Sequence, residues 1–183
     1  VSAIIGVILT LPISSAAICS ALHLVGLAGG AAVAGCCAHM VGFAVASYRE
    51  NGVGGLASQG LGTSMLQVPN LLKKPVLWVP PVIASIVNGP IATCVFHLKM
   101  NGAAISSGMG TCGLVGPIGV ITGWLNPSED ALSQGEAALS AGALDWIGLI
   151  LVAVVIPAAV AWLVSELMRK KGLIQEGDYK LNV

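Results

Sequence analysis

QGLGTSMLQVP, from Gln59 to Pro69, and SGMGTCGLVGP, from Ser107 to Pro117, are two copies of one phrase. Both fit the pattern G-x-G-T-x-x-L-x-x-P, and they begin 48 positions apart. Each copy places glycines and hydroxyl groups inside a chain that is otherwise strongly apolar. The interpretation of the fold depends on what such a phrase does and why it occurs twice.

The composition around the phrases is that of a membrane protein. Of the 183 residues, 56% are hydrophobic and only 9% are charged, whereas a soluble domain carries about 25% charged residues. Eight Lys and Arg residues balance eight Asp and Glu residues, so there is no basic surface of the kind that binds nucleic acid. We therefore expect a polytopic protein whose main solvent is the lipid bilayer.

The five cysteines have neither the C-x-x-C spacing nor the Cys/His clustering of metal or redox sites. Each lies within or beside an apolar run, where a free cysteine behaves as a small buried hydrophobe. We expect no disulfide framework, no metal site and no cofactor. The opening residues, VSAIIGVILTLPISSAA, lack the basic region of a secretory signal, so we interpret them as a spanning segment, with a signal peptide as the alternative.

Four stretches are long enough to cross a bilayer, which takes roughly 20 apolar residues. They are residues 1–22, 24–47, 76–98 and 144–168. Pro12 is expected to kink the first, and Asn88-Gly89-Pro90 is expected to kink or break the third.

Two further segments, residues 52–72 and 102–125, are apolar but interrupted by polar residues and glycine, and each contains one copy of the phrase. Non-helical backbone at membrane depth occurs only where it is buried in protein or lines a wet cavity. Each segment is therefore predicted to be a re-entrant helical hairpin with the phrase at its tip. The predicted fold is an all-α polytopic membrane protein with about four spanning helices and two re-entrant hairpins.

Charge predicts the orientation. Arg49, Lys73, Lys74 and the basic run 169–171 are expected on the cytoplasmic side by the positive-inside rule, and the acidic loop 126–142 on the outside. Lys99 is the one exterior exception. The first hairpin then enters from the cytoplasm and the second from outside. A unit of one span and one hairpin, used twice, must invert, so the repeat and the charges both predict an inverted-topology repeat.

Paired, glycine-interrupted segments indicate the binding site of a transporter near the bilayer midplane. Tip glycines leave backbone N–H and C=O groups uncovered, and the neighbouring hydroxyls and amides are neutral, which suits a sugar or other polyhydroxylated solute better than a bare ion. The expected substrate-binding residues are Gln59, Gly60, Gly62, Thr63, Ser64, Gln67, Asn70, Ser107, Gly108, Gly110 and Thr111. The alternative is that the glycines only allow close packing and the polar groups satisfy one another.

His39, Asn88 and His97 are secondary candidates, because polar and ionisable groups inside a membrane are often functional. A neutral histidine bonded to a backbone carbonyl is an equally good interpretation. The chain has no nucleophile paired with a base, no phosphate-binding loop and no dinucleotide motif. Neither hairpin contains a carboxylate, since Glu50 lies at the edge of the first. We therefore expect no catalytic residue.

GLASQGLGTSMLQVPNLLKKP, NGPIATCVF and SSGMGTCGLVGP together resemble the membrane-embedded IIC component of bacterial phosphotransferase sugar systems. More narrowly, the chain is similar to the IIC-like branch described as perfringolysin (toxin) regulators. The resemblance covers residues 1–179 and implies a sugar held between two hairpins and moved by rigid-body motion of the transport domain. Members of that branch are usually longer. The resemblance thus implies a C-terminal half, with a transport domain over residues 1–168 and a cytoplasmic tail over 169–183.

The resemblance also has implications for phosphorylation and partners. In sugar-phosphorylating IIC relatives, a hairpin Glu and a His help to hold the sugar hydroxyl that receives phosphate. Neither hairpin here has such a Glu, and no His lies in a tip, so coupled phosphorylation stays open. It would need separate IIA and IIB proteins docking on the cytoplasmic loops. The resemblance further implies a homodimer in the bacterial inner membrane.

The leading hypothesis is a IIC-like permease that exposes a sugar or polyol to alternate sides of the membrane. A second hypothesis, motivated by the missing carboxylate, is a membrane sensor or regulator that kept the IIC fold without transport. The third is a channel. The chain has no N-P-A pair and no T-V-G-Y-G filter, so the channel hypothesis has less support.

Overall fold

The computed structural model describes residues 1–181, and its regular elements there are helical apart from an isolated bridge between Gly26 and Met100. The α-helices are α1 (Ser2–Thr10), α2 (Ser15–Ala21), α3 (Gly26–Ala46), α4 (Tyr48–Ala57), α5 (Val68–Lys73), α6 (Val79–Pro90), α7 (Val115–Leu125), α8 (Glu129–Ser133), α9 (Ala143–Ile150) and α10 (Ile156–Lys170). Three π-helical segments are Ser58–Gly62, Ile91–Val95 and Leu151–Val155. Short 3-10 segments are Ser64–Gln67, Pro75–Trp78, Ala104–Gly108 and Cys112–Leu114.

Within the described residues, three continuous helices are long and apolar enough to cross a membrane: Gly26–Ala46, Pro75–Val95 and Ala143–Lys170. They match the second, third and fourth predicted spans. α3 is central and is buried along most of its length. Its glycines allow close approach, since a Cβ on Gly30 would collide with the Leu98 carbonyl and one on Gly35 with the Ser2 carbonyl.

α6 runs antiparallel to α3, and α10 runs parallel to it. Gly42, near the end of α3, lies against both Pro81 at the start of α6 and Ala161 in α10. At the other end of α3, Gly30 lies against Leu98, which follows α6 in the chain. The three membrane-length helices therefore alternate in direction, as a polytopic bundle with short connections requires.

The expected single span over residues 1–22 is not present, and this prediction is corrected. These residues form α1 and α2, of nine and seven residues, each too short to cross a bilayer. The break has a local cause: Leu11, before Pro12, is extended, and the Ser14 hydroxyl accepts the Ala17 N–H at 3.1 Å and caps α2. The predicted kink at Pro12 is thus a complete break.

The predicted distortion near Pro90 takes the form of a change in helix type. Pro90 ends α6, and the π-helical segment Ile91–Val95 follows directly. A second π-helical segment, Leu151–Val155, precedes Pro157, and the Ile156 N–H there donates to the Leu151 carbonyl. In this i+5 register the Val152 carbonyl would accept from the N–H of residue 157. Pro157 has no N–H, so the Val152 carbonyl has no helical donor.

Asn88 satisfies that carbonyl. Its Nδ2 donates to the Val152 oxygen at 2.8 Å and to the Ala34 oxygen at 2.9 Å. The side chain is fully buried. One amide therefore joins α6 to α3 and to the last membrane-length helix, at the point where the last helix has lost a backbone hydrogen bond.

Pairs of polar and charged side chains lie at the two ends of α3. At its Gly26 end, His23 contacts Asp130 at 2.7 Å and Lys99 contacts Glu136 at 2.8 Å. The lysine that appeared as an exception to the charge pattern is thus paired with an acid of the loop 126–142. At the Ala46 end the pairs are Arg49–Glu166, Arg169–Glu50 and Lys74–Asp178.

The part of the predicted tail that the structure describes packs against the bundle, and the domain boundary at residue 168 stays a prediction. α10 continues through Lys170, so the expected boundary at residue 168 falls inside the helix. The chain then folds back, and Tyr179 is fully buried in a cluster with Phe43, Leu77 and Met168. Residues 182 and 183 of the predicted tail lie outside the described part of the chain.

Candidate functional site

The two copies of the phrase meet. We call residues 58–67 the first tip and residues 104–114 the second tip. The Thr111 hydroxyl of the second tip donates to the Gly60 carbonyl of the first tip at 2.5 Å. Gly110 lies against Cys36 and Cys37 of α3. Cys36 is ten residues into α3. At a rise of about 1.5 Å per residue this is a depth of about 15 Å, roughly half of the 30 Å hydrocarbon thickness.

The break between α1 and α2 contacts both tips. The Thr10 hydroxyl, at the end of α1, is 2.9 Å from the Ser64 hydroxyl of the first tip. The Ser15 hydroxyl, at the start of α2, donates to the Gly108 carbonyl of the second tip at 2.7 Å. All four residues are buried. Sequence reasoning missed Thr10 and Ser15, although hydroxyl residues flanking a proline were a usable signal of a polar break.

The two tips differ in how their glycines are packed. In the second tip, Gly110 has a φ of +52°, and a Cβ there would lie 2.6 Å from the Cys36 carbonyl carbon. A Cβ on Gly108 would lie 2.5 Å from the Ser15 backbone carbonyl oxygen. In the first tip, a Cβ on Gly60 would make ordinary contact with Ala44, and one on Gly62 would meet nothing within 4 Å. The second tip is closed against the bundle, and the first has free space.

A cavity of about 340 Å³ lies beside the contact between the tips. Gly60 and Thr111 lie on its wall, and the remaining lining is aliphatic, from α3, α4, both tips and the last membrane-length helix: Val41, Leu56, Leu61, Leu114 and Val154 are examples. Its volume falls at the lower end of the range of ligand pockets, about 300–1,000 Å³. The surface exposed in the cavity is apolar, because the Thr111 hydroxyl and the Gly60 carbonyl are bonded to each other.

The amides of residues 47–73, which we call the first polar segment, form a chain of hydrogen bonds at the Ala46 end of α3. Gln59 Nε2 donates to the Ser47 hydroxyl at 2.7 Å, Gln67 Nε2 donates to Gln59 Oε1 at 2.8 Å, and Asn70 Nδ2 donates to Gln67 Oε1 at 2.8 Å. Gln59 and Gln67 are fully buried. The structure thus brings together three predicted site residues and adds Ser47, which the sequence did not single out.

The C-terminal segment closes this amide chain. The Tyr179 carbonyl accepts from Gln67 Nε2 at 3.0 Å and from Asn51 Nδ2 at 2.8 Å. The Lys180 carbonyl accepts from Asn70 Nδ2 at 3.0 Å. These contacts join positions more than 100 residues apart, and nothing in the local sequence indicated them.

Thr63 and Ser107 lie in the tips but are bonded within them, and His39, Asn88 and His97 lie away from the contact between the tips. The Thr63 hydroxyl accepts the Met65 N–H at 3.2 Å, and the Ser107 hydroxyl donates to the Ala104 carbonyl at 2.7 Å. His39 is buried in α3, with Nδ1 3.1 Å from the Gly35 oxygen. Asn88 lies in the bundle core as described above. His97 is exposed, with a φ of +46°, after the π-helical segment Ile91–Val95 and on the side of the Gly26 end.

The ion pair at the C-terminal segment predicts a pH dependence. Partial burial acts to raise the pKa of Asp178, but hydrogen bonds from Lys74 and the Gln175 N–H, with the nearby Lys74 and Arg169 charges, hold it below the usual value. A carboxyl with a depressed folded-state pKa stabilises the fold above its unfolded-state pKa of about 4, and this stabilisation is lost as the pH falls through the folded-state value.

We expect wild type to melt above Asp178→Asn by a constant margin at pH values over about 5, and the margin to shrink as the pH is lowered toward about 3. Thermal unfolding in detergent across this range measures it. Glu176→Gln, the same loss of charge at an exposed neighbour, is the matched control. A margin that stays constant into the acid range would contradict the assignment to the Lys74–Asp178 pair.

A second prediction concerns the hydroxyl pair between α1 and the first tip. Thr10→Val and Ser64→Ala should each destabilise the protein, and a double-mutant cycle should give a coupling of about 0.5–1.5 kcal/mol, because the second change costs little once the bond is lost. The control combines Thr10→Val with Ser128→Ala, whose hydroxyl donates to the Gly102 carbonyl beside the Gly26 end of α3, away from Thr10. This pair should be additive. Additivity of both pairs would show that the Thr10–Ser64 contact contributes nothing.

Comparison with known proteins identifies the family. The family model described as "Phosphotransferase system, EIIC" matches residues 1–181 of the 183. No curated protein and no solved structure matches the chain. The narrower likeness to toxin regulators stays a prediction. Together with its three membrane-length helices, the match over nearly the whole chain shows a membrane protein that belongs to the phosphotransferase-system EIIC family, the membrane components of sugar phosphotransferase systems.

Proposed function

We propose that this chain binds a sugar or polyol where its two tips meet and exposes it to alternate sides of the membrane. The observation that carries the proposal is the Thr111–Gly60 contact beside the 340 Å³ cavity, in the half of α3 that ends at Ala46. A sugar has hydroxyls at its rim and apolar C–H faces. The hydroxyls would exchange hydrogen bonds with Thr111 and the first-tip backbone, while a C–H face packs on the aliphatic wall.

The proposal includes two re-entrant hairpins in an inverted repeat. The first polar segment begins after α3 and ends at Lys73, both beside the Ala46 end of that helix, and its tip reaches Ala44. The second begins next to Met100, which bridges Gly26, and ends at Leu125, which precedes a loop bonded to Asn101. These contacts support the proposal that each segment enters and leaves on one side, and that the two sides are opposite. The Ala46 end and the C-terminus would be cytoplasmic in the bacterial inner membrane.

The two tips have different roles in this proposal. Gly108 and Gly110, with Ser107, fix the second tip against α2 and α3 and aim the Thr111 hydroxyl. Gly60, Gly62, Thr63 and Ser64 form the open tip that contacts the solute. The amides Gln59, Gln67 and Asn70 lie further toward the Ala46 end, where they would bind the solute on its way to the cytoplasm. A homodimer and separate IIA and IIB partners are part of the proposal through the family.

The experiment is a thermal-stability screen of the purified protein in detergent against glucose, galactose, N-acetylglucosamine, mannitol, galactitol and their phosphates. A solute at about 100 times its dissociation constant adds roughly 2.7 kcal/mol to the native state. We expect one solute to raise the melting temperature, and Thr63→Val with Thr111→Val to abolish that rise. A rise that survives in the double variant would contradict a site at the tips.

One observation favours the second candidate function, a sensor or regulator without transport. The amides of the first segment already donate to protein acceptors, and the C-terminal segment supplies two of them. A protein held in this state would bind a solute and signal without moving it. Uptake into proteoliposomes separates the two functions: saturable uptake of the stabilising solute supports the permease, and binding with uptake at background supports the regulator.

A further inference from the structure

We propose that residues 172–181 form a strap that competes with the solute for the amides of the first polar segment, so that the strap must leave before these amides can bind. The proposal rests on the proposed function, because it assigns a regulation to the same site. The observation is that the backbone of the strap occupies donors of Gln67 and Asn70, which the proposed function gives to the solute.

Donor counting shows why the two occupants exclude each other. A primary amide has two N–H donors. Gln67 Nε2 gives one to Gln59 and one to the Tyr179 carbonyl, and Asn70 Nδ2 gives one to Gln67 and one to the Lys180 carbonyl. Neither amide has a free donor. A solute hydroxyl can accept from either only after an existing bond breaks, and the strap bonds are the ones that a local movement of the chain can release.

The strap is anchored at one cluster, in which Ile174 and Tyr179 are both buried, and it contains two turns at glycines. The buried Tyr179 donates its hydroxyl proton to the Leu77 carbonyl at 2.9 Å, and Asp178 pairs with Lys74 at 2.6 Å. Between this anchor and α10, Gly172 and Gly177 have φ values of +70° and +94°, and a Cβ added to either would meet nothing within 4 Å. In this proposal the backbone turns at Gly172, and the strap leaves with Ile174 and Tyr179 while α10 stays in place.

A peptide bond within the strap can be used to measure how often the strap leaves. The peptide bond between Lys180 and Leu181 is held on both sides, because the Lys180 carbonyl accepts from Asn70 and the Leu181 N–H donates to Asn51 Oδ1 at 2.9 Å. Trypsin cleaves after lysine and needs both groups of the peptide bond free in its own active site. Cleavage after Lys180, followed by mass spectrometry, therefore measures how often the strap leaves.

The test compares strap release with binding of the solute that gives the largest thermal shift in the screen. Saturation of the wild-type protein with that sugar or polyol should accelerate cleavage after Lys180. Coupling between two sites is reciprocal and typically amounts to roughly 5- to 150-fold. Asp178→Asn, which removes an anchor, should therefore be cleaved faster and bind the solute more tightly by a factor in that range. Glu176→Gln should match wild type in both measurements.

The outcomes separate this proposal from the function on which it rests. Solute binding that leaves the cleavage rate unchanged or lowers it, or equal affinity in Asp178→Asn and wild type despite faster cleavage, overturns the strap and leaves the binding function intact. Absence of binding by wild type, Asp178→Asn and Tyr179→Ala to the whole panel overturns the proposed function and the competition together. Binding by Asp178→Asn alone supports both.

Discussion

Gly110→Ala is expected to lower the free energy of unfolding by about 2–4 kcal/mol, whereas Gly62→Ala is expected to change it by less than about 0.5 kcal/mol. The two glycines occupy the same place in the repeated phrase, so sequence alone treats them as equivalent. Gly110 has a positive φ and lies against the backbone of Cys36 and Cys37, where a methyl group has no room. A methyl group on Gly62 meets open space.

Thermal and denaturant unfolding in one detergent measures both variants against wild type. The pair is its own control, because each change adds one methyl group to the same motif. Equal destabilisation by the two variants would contradict the difference between a closed second tip and an open first tip. The same measurement on Gly60→Ala, whose new methyl group would touch only Ala44 at 3.6 Å, extends the comparison within the open tip.

Asn88→Leu is the second large expected effect, with a loss of about 2–3 kcal/mol in unfolding free energy. The change keeps a side chain of similar size but removes the donor to the Val152 carbonyl. That carbonyl has no helical donor, because Pro157 follows the π-helical segment. In an apolar interior there is no water to replace the lost hydrogen bond.

Thr93→Val is the matched control in the same membrane-length helix. The Thr93 hydroxyl donates to the Gly89 carbonyl within its own helix at 3.1 Å, so its loss leaves no carbonyl without a donor, and we expect a change within about 0.5 kcal/mol. If Asn88→Leu proved as stable as Thr93→Val, the three-helix bridge would not be a stabilising contact. Unfolding of the two variants under identical conditions decides between these results.

Some of the architecture was readable in the sequence. Three of the four predicted spans are membrane-length helices, because hydropathy over about 20 residues measures what a bilayer requires. The repeated phrase predicted that two distant segments would come together, and Thr111 and Gly60 are in contact. That a solute binds there stays a prediction. Pro90 was correctly expected to disturb its helix, since the missing N–H is a local property of the residue.

Other features depend on contacts that no local pattern encodes. Hydropathy counted residues 1–22 as one span because it measures apolar length but not whether one helix runs through that length. Pro12 and the Ser14 cap separate α1 from α2 there. Lys99 looked anomalous until Glu136, far along the chain, was placed beside it. Periodicity could not show that Gln67 and Asn70 are bonded to the C-terminal segment, whose polar composition gave no sign of burial.

Gly62→Leu tests most directly whether a solute binds at the open first tip, on which the proposed function depends. Gly62 has no positive φ, and a Cβ added to it would meet nothing within 4 Å, so a leucine there should leave the fold intact. Its side chain would occupy the open space at the first tip, two residues from Gly60 on the cavity wall, where the proposed solute would bind. The measurement is the affinity for the solute found in the stability screen, with the melting temperature without solute as the check on folding. We predict a wild-type melting temperature and a loss of binding of at least about 100-fold, or roughly 2.8 kcal/mol. Binding by Gly62→Leu with wild-type affinity would contradict a site at the tips.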